Sequence, residues 1–191
     1  MDVAMGNRPE PRAAFVPSRP SAPDAFLAGL QAGMLGILWM LAWLGVSATW
    51  QRRSFWTAEN LMASAFHPAS GVSDGLTWET FSGLAVYLLL YSLLGGLFAM
   101  AISRETMRPV RTTLLALAFG LTWYYTSFEF LWKTLAPALA YLHPERSTIL
   151  GHAIYGLLVG RFYLHFPSER KPFADPAAAP ESSSEPVTPN A

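Results

Sequence analysis

The 191-residue chain contains no cysteine. That excludes disulfides, thiolate metal sites and a thiol nucleophile. Charge is also scarce: 14% of residues are Asp, Glu, Lys or Arg against 52% hydrophobic, and thirteen basic residues balance thirteen acidic ones. Soluble domains carry closer to a quarter charged residues, so the deficit implies a chain that avoids water over much of its length. Zero net charge supplies no field to gather nucleic acid, so none is expected as a partner. The chain has no P-loop, dinucleotide fingerprint, zinc-protease helix or serine-hydrolase elbow, which lowers the expectation of a self-contained enzyme and leaves no residue to name as catalytic.

What the chain does have is long uncharged runs. Ala25 to Trp50 contains no charged residue, and as a helix it would extend ~39 Å, more than a ~30 Å hydrocarbon layer needs. A cleavable signal peptide would have a shorter apolar region closer to the start, so this run reads as a retained span. Thr80 to Ser103 is a second uncharged run, and Thr112 to Phe128 a third that admits Glu129 and Lys133 before Pro137 stops it. The fourth run, 147–166, carries His152, Arg161 and His165. The predicted fold is an all-α polytopic membrane protein: a four-transmembrane-helix bundle with spans at 25–50, 80–103, 112–135 and 147–166. The tails at 1–24 and 167–191 are rich in proline, alanine and serine and are expected to be disordered.

Four spans place both tails, the 104–111 loop and the Arg161 end of the fourth span on one side, with nine of the thirteen basic residues; Arg52, Arg53, Lys133 and Arg146 lie on the other. The positive-inside rule then predicts a multi-pass protein of the bacterial inner membrane with both termini cytoplasmic. Trp50, Trp56, Trp78 and Trp132 fall near the outer interface. The long 51–79 connection holds a segment of helical character, Trp56 to Phe66, expected as a short interfacial helix on the outer surface or as a structured loop.

Three patterns recur in order in the two halves. Gly36-Ile-Leu-Trp39 matches Gly120-Leu-Thr-Trp123, Phe66-His67-Pro68 matches Leu142-His143-Pro144, and Thr80, Gly83, Ala85 and Tyr87 match Thr148, Gly151, Ala153 and Tyr155. Duplication of an in–out–in hairpin and coincidence among common membrane residues both account for this. Gly29-x-x-x-Gly33 and Gly156-x-x-x-Gly160 are candidate packing motifs, since small residues four apart let two backbones approach closely. They would join spans within one chain or pair two copies.

The candidate chemistry lies in polar groups near the spans. A carboxylate at Glu129 costs several kcal/mol in lipid unless it is paired, protonated or hydrated, on order-of-magnitude scales. Lys133, four residues on, is its expected partner. His152 shares a stripe with Gly156 and Gly160. Glu129, Lys133 and His152 therefore form a candidate ion or proton path, or else an interfacial ion pair and a packing histidine. Glu59, His67 and His143 form a candidate polar cluster at the outer face; both His-Pro pairs also read as simple turns. No metal site is expected, and no cofactor is predicted, with haem or quinone kept as an alternative through His152 and the aromatic run at 123–132.

The last span, Leu150-Gly-His152-Ala-Ile-Tyr155-Gly156-Leu-Leu-Val-Gly160-Arg161, resembles that of small bacterial membrane proteins of no established activity. Asn60-Leu-Met-Ala-Ser and Trp123-Tyr124-Tyr125 are compatible with it. The resemblance implies a four-helix architecture and no chemistry. Two functions remain open: a non-catalytic accessory or scaffolding subunit, partnered by the bilayer and by other membrane subunits or itself, and a small oligomeric transporter or channel using Glu129, Lys133 and His152.

Overall fold

Ser21 accepts a hydrogen bond from the Asp24 amide at 3.3 Å, Pro23 pre-sets the first turn, and a helix begins at once. This helix, α1, spans Ala22–Trp50. The computed structural model describes residues 21–105 and 107–164, and every regular element among them is helical. Most of the predicted N-terminal tail, all of the C-terminal tail and His165 lie outside these residues. After α1 come α2 (Thr57–Ala63), a 3-10 turn at Pro68–Val72, α3 (Thr80–Ile102) and α4 (Pro109–Thr126). α4 runs on through a π-helical segment, Ser127–Leu131, into α5 (Trp132–Leu135). Pro137 opens α6 (Pro137–Leu142), and α7 (Glu145–Tyr163) completes the described chain.

The all-helical architecture is as expected. Two helices, α1 and α3, are long and apolar enough to cross a membrane by length and composition. α4 and α7 fall short on that measure: α4 includes Arg111 and gives way to the π segment after 18 residues, and α7 carries Glu145, Arg146 and Arg161.

α1 is the central helix, packed along α3 on one side and α7 on the other, with α4 along the far side of α7. Buried residues recur every four positions. On α1, Ala25, Gly29, Gly33, Ile37 and Leu41 form one buried ridge, and Ala28, Ala32, Gly36, Met40 and Leu44 form a second. The first ridge meets α3, where Gly29 lies against Gly95 and Ala99 and Gly33 against the Tyr91 backbone. The second meets α7, where Gly36 lies against Tyr155 and Val159, and Gly151 lies against Met40 and Leu44. α7 turns Gly151, Tyr155, Val159 and Tyr163 toward α1, and Thr148, His152, Gly156 and Gly160 toward α4. All four expected packing glycines (Gly29, Gly33, Gly156 and Gly160) thus sit at helix contacts within the chain. They gain dispersion contacts by close backbone approach.

On α4 and its continuation Thr112, Ala116, Gly120, Tyr124, Phe128, Trp132 and Ala136 form a buried row with a period of four, with Ser127 buried beside it. An α-helix advances about 40° beyond a full turn every four residues, so this row would drift off its partner. The wider π turn at Ser127–Leu131 takes up part of that drift and keeps Phe128 and Trp132 facing inward.

The recurring patterns fall on corresponding elements, since each half has a long helix, a short helix, a His-Pro pair and a second long helix. The contacts are not equivalent. Gly83 of α3 lies against the α2 backbone at Glu59 and Ala63, whereas the matching Gly151 of α7 lies against Met40 and Leu44 of α1.

α2 departs from the surface helix expected at 56–66. It is shorter, and Glu59, Asn60, Leu61, Met62 and Ala63 are all buried. Gly83 on α3 has no side chain and admits the α2 backbone at Glu59, so the short helix is inserted against the bundle rather than laid over it. With α6 it caps the end where α1 stops.

Candidate functional site

The buried polar groups gather at this capped end. His152 is 1% exposed. Its Nδ1 lies 2.8 Å from the Thr148 carbonyl, which only accepts, so Nδ1 carries the proton. Nε2 is then an acceptor, and the Tyr91 hydroxyl donates to it at 2.7 Å. Tyr155 donates in turn to the Tyr91 carbonyl at 2.6 Å. His143 repeats the arrangement: Nδ1 donates to Ala140 and Leu139 carbonyls at 2.9 and 3.1 Å, and Nε2 accepts from Tyr124 at 3.3 Å. The Tyr124 ring stands between the two histidines, with centroids 6.2 Å from His143 and 5.2 Å from His152. Phe128, held inward by the π segment, stacks 4.1 Å from His143. Burial holds the His143 ring below the ordinary histidine value, so it is neutral near pH 7. The Trp123 indole nitrogen is buried on the Tyr91 side without reaching a hydrogen-bond acceptor.

A second polar group lies on α2. Asn60 donates to the Ser73 and Gly75 carbonyls at 3.2 and 2.9 Å and accepts from Thr80 at 2.6 Å, while its own carbonyl accepts from Ser70 at 3.0 Å. One side chain thereby latches the 70–80 segment to α2. Glu59 beside it is 2% exposed, and its Oε2 has no hydrogen-bond partner. Burial pushes its carboxyl up to about 7, and it lies within electrostatic range of Tyr87.

Between α2 and α6 a narrow cleft, with room for about one water molecule, reaches down to Tyr87 and Thr148. Leu44, Ala48, Leu61 and Leu139 form its apolar walls, and Arg53 and His143 its polar ones.

The expected ion or proton path is not assembled. Lys133 and Glu129 do pair, at 2.8 Å, but their side chains are 43% and 64% exposed on the outside of the bundle, whereas His152 is inside. Of the expected outer cluster, Glu59 and His143 are drawn into the capped end and His67 is exposed. The residues absent from that expectation are Tyr91, Tyr124, Tyr87 and Arg53. Tyr87 and Tyr91 belong to the four-residue ridge Gly83-Tyr87-Tyr91-Gly95, and Tyr124 to the ridge on α4, so the spacing was the available signal. Among the described residues no three His, Asp or Glu side chains are grouped to hold a metal. Both nitrogens of His152 are engaged, so a haem iron there would have to displace Tyr91. Comparison with protein-family models, curated proteins and solved structures finds no match to this chain.

Proposed function

We propose that this chain is a four-span integral membrane protein with both termini cytoplasmic, acting as a non-catalytic accessory or scaffolding subunit. The observation that carries the reading is an outer surface rich in large apolar side chains around an apolar interior. Side chains facing out of the bundle are large and apolar, including Met34, Leu38 and Trp39 on α1, Leu89, Leu93 and Leu97 on α3, Val110, Leu114 and Leu115 on α4, and Leu150 and Leu157 on α7. The buried faces are apolar too, and their closest helix contacts are made by glycine and alanine beside Ile37, Met40, Leu44, Tyr155 and Val159. Water disfavours such a surface, whereas lipid matches it and leaves close packing to hold helices together. The exposed leucines of α4 and α7 extend that argument to the two less apolar helices. The interior hydrogen bonds of His152, His143 and Asn60 close on one another, as a packed support requires. Purification in mild detergent followed by mass measurement tests this reading; a chain that always migrates alone, or one recovered in solution without detergent, overturns it.

One observation favours a transport role instead: the buried Glu59 carboxyl, whose Oε2 has no hydrogen-bond partner among the described residues. Such a path would use Glu59 in place of the outward-facing Glu129 and Lys133. In proteoliposomes Glu59→Gln would then abolish a proton-linked flux that Glu129→Gln leaves intact, and equal flux in both variants removes this alternative.

A further inference from the structure

Glycines close the seams of α1 with α3, α1 with α7 and α4 with α7. The seam of α3 with α4 is built differently. No glycine of either helix lies against the other, and large rings fill the space, with the Phe98 and Phe119 centroids 5.3 Å apart. Phe98 is buried and Phe119 partly so.

A short loop joins these two helices, so the end of α3 and the start of α4 lie together, at the end of the bundle opposite the cap. Arg104, Arg108 and Arg111 are all exposed there, and Glu105 is the one acid between Ser103 and Arg111. Among the described residues none of the three guanidinium groups has an ion-pair partner. Helical spacing aligns them with the seam. On α4, Arg111, Leu115 and Phe119 follow one another at four-residue steps, so the arginine stands above an apolar row that leads to the ring. On α3, Leu97, Ala101 and Arg104 run along one exposed face beside Phe98. α4 also starts without a side-chain cap or an acid in its first turn, so its first amides have no side-chain acceptor.

We propose that the α3–α4 seam at this end binds one anionic phospholipid, its phosphate held by Arg104, Arg108 and Arg111 and an acyl chain laid over Leu97, Leu115 and Phe119. The site rests on the membrane reading above. A guanidinium fork matches phosphate oxygens, and the uncapped start of α4 favours an anion in the same place. Three unpaired cations suit a headgroup of net negative charge better than a zwitterionic one, whose own cation they repel. One exposed arginine attracts only weakly through water and salt. The acyl chain supplies the rest through dispersion contacts with the seam, which a free phosphate cannot make.

Native mass spectrometry of the full-length protein in neutral detergent tests the site, with phosphatidylglycerol or phosphatidylcholine of the same acyl chains added. Phosphatidylglycerol is expected to form a saturable one-to-one adduct, tighter than that of phosphatidylcholine by roughly tenfold or more. Arg104→Gln, Arg108→Gln and Arg111→Gln combined should weaken it by roughly tenfold or more, whereas Arg146→Gln at the capped end leaves it unchanged. Glycerol phosphate, the same headgroup chemistry without chains, should fail to displace the lipid at equal concentration. The comparison of the two lipids on the wild type stands whether or not the triple variant folds. Equal affinity for the two lipids, unchanged affinity in a folded triple variant, an equal loss in Arg146→Gln, or displacement by glycerol phosphate overturns the proposal. A chain that stays in solution without detergent removes the membrane reading itself; lost lipid selectivity in a chain that requires detergent removes this site alone.

Discussion

Tyr91 on α3 donates its hydroxyl proton to His152 on α7 across 2.7 Å, and this bond joins two helices that flank α1 on opposite sides. Tyr155 adds a second bond between the same helices, so α3 and α7 are tied at the capped end by donors from both. Polar bonds are directional where dispersion packing is not, so they fix the register of helices whose ridges would otherwise slide by four residues.

Tyr91→Phe keeps the ring contacts with Tyr87 and Tyr155 but leaves the buried Nε2 of His152 without a donor. A loss of about 1–3 kcal/mol is expected, the cost of an unsatisfied buried acceptor. Thermal melting in detergent measures it. A double-mutant cycle with His152→Leu should recover part of the loss, because removing both partners removes the unsatisfied group.

The Gly156 position is a sharper test of the ridges. A Cβ there would stand 2.5 Å from the Ala116 carbonyl oxygen, and backbone cannot step aside as a flexible side chain would. Gly156→Leu is expected to separate α4 from α7 and cost several kcal/mol by overpacking, enough to lose most folded protein. Leu157→Ala, at the next and exposed position, should fold normally. Size-exclusion profiles of the two variants distinguish them.

These ridges show what the sequence discloses and what it withholds. Gly29-x-x-x-Gly33 and Gly156-x-x-x-Gly160 are visible because glycine is distinctive, whereas Tyr124, Phe128 and Trp132 at the same spacing look like any apolar run. Position along a helix is legible too: Glu129, after seventeen uncharged residues, falls in the last third of the run from α4 to α5. Azimuth is not legible, and the side of the helix that Glu129 occupies follows from the packing of α4 on α7, with Phe128 rather than Glu129 turned inward. The buried carboxylate is Glu59, which chain position alone assigns to a surface loop. Its burial depends on Gly83 admitting the α2 backbone, a contact between residues 24 positions apart that no local pattern encodes. The two His-Pro pairs are alike in sequence, yet His143 finds Tyr124 and Phe128 while His67 finds solvent.

Asn60 carries the latch between α2 and the chain leading into α3. Asn60→Leu keeps the branching of the side chain and removes the donors to Ser73 and Gly75 and the acceptor for Thr80. Three lost bonds at about 1 kcal/mol each predict about 3 kcal/mol of destabilisation. It should act locally first, so limited proteolysis is expected to cut within 66–79 well before the helices. Uniform protection of that segment in the variant would show that the latch is dispensable.

The pH dependence of stability should isolate Glu59. Its carboxyl is raised by burial from 4.5 to about 7 in the folded protein, so between those values the folded state holds a proton that the unfolded state has released. Stability therefore falls as pH rises through that window, by up to about 3 kcal/mol once the folded carboxyl ionises. His143 acts in the opposite sense. Burial lowers its value, and protonation of the unfolded chain removes stability as pH falls below the ordinary histidine range. The two slopes oppose each other in mildly acidic solution, so the wild-type profile alone is ambiguous and the difference from Glu59→Gln is the decisive measurement. Near pH 4.5 the variant and the wild type should melt within a degree or two of each other. By pH 8 the variant should melt several degrees higher. A constant difference between pH 4.5 and 8 would place the Glu59 carboxyl in water rather than buried near Tyr87.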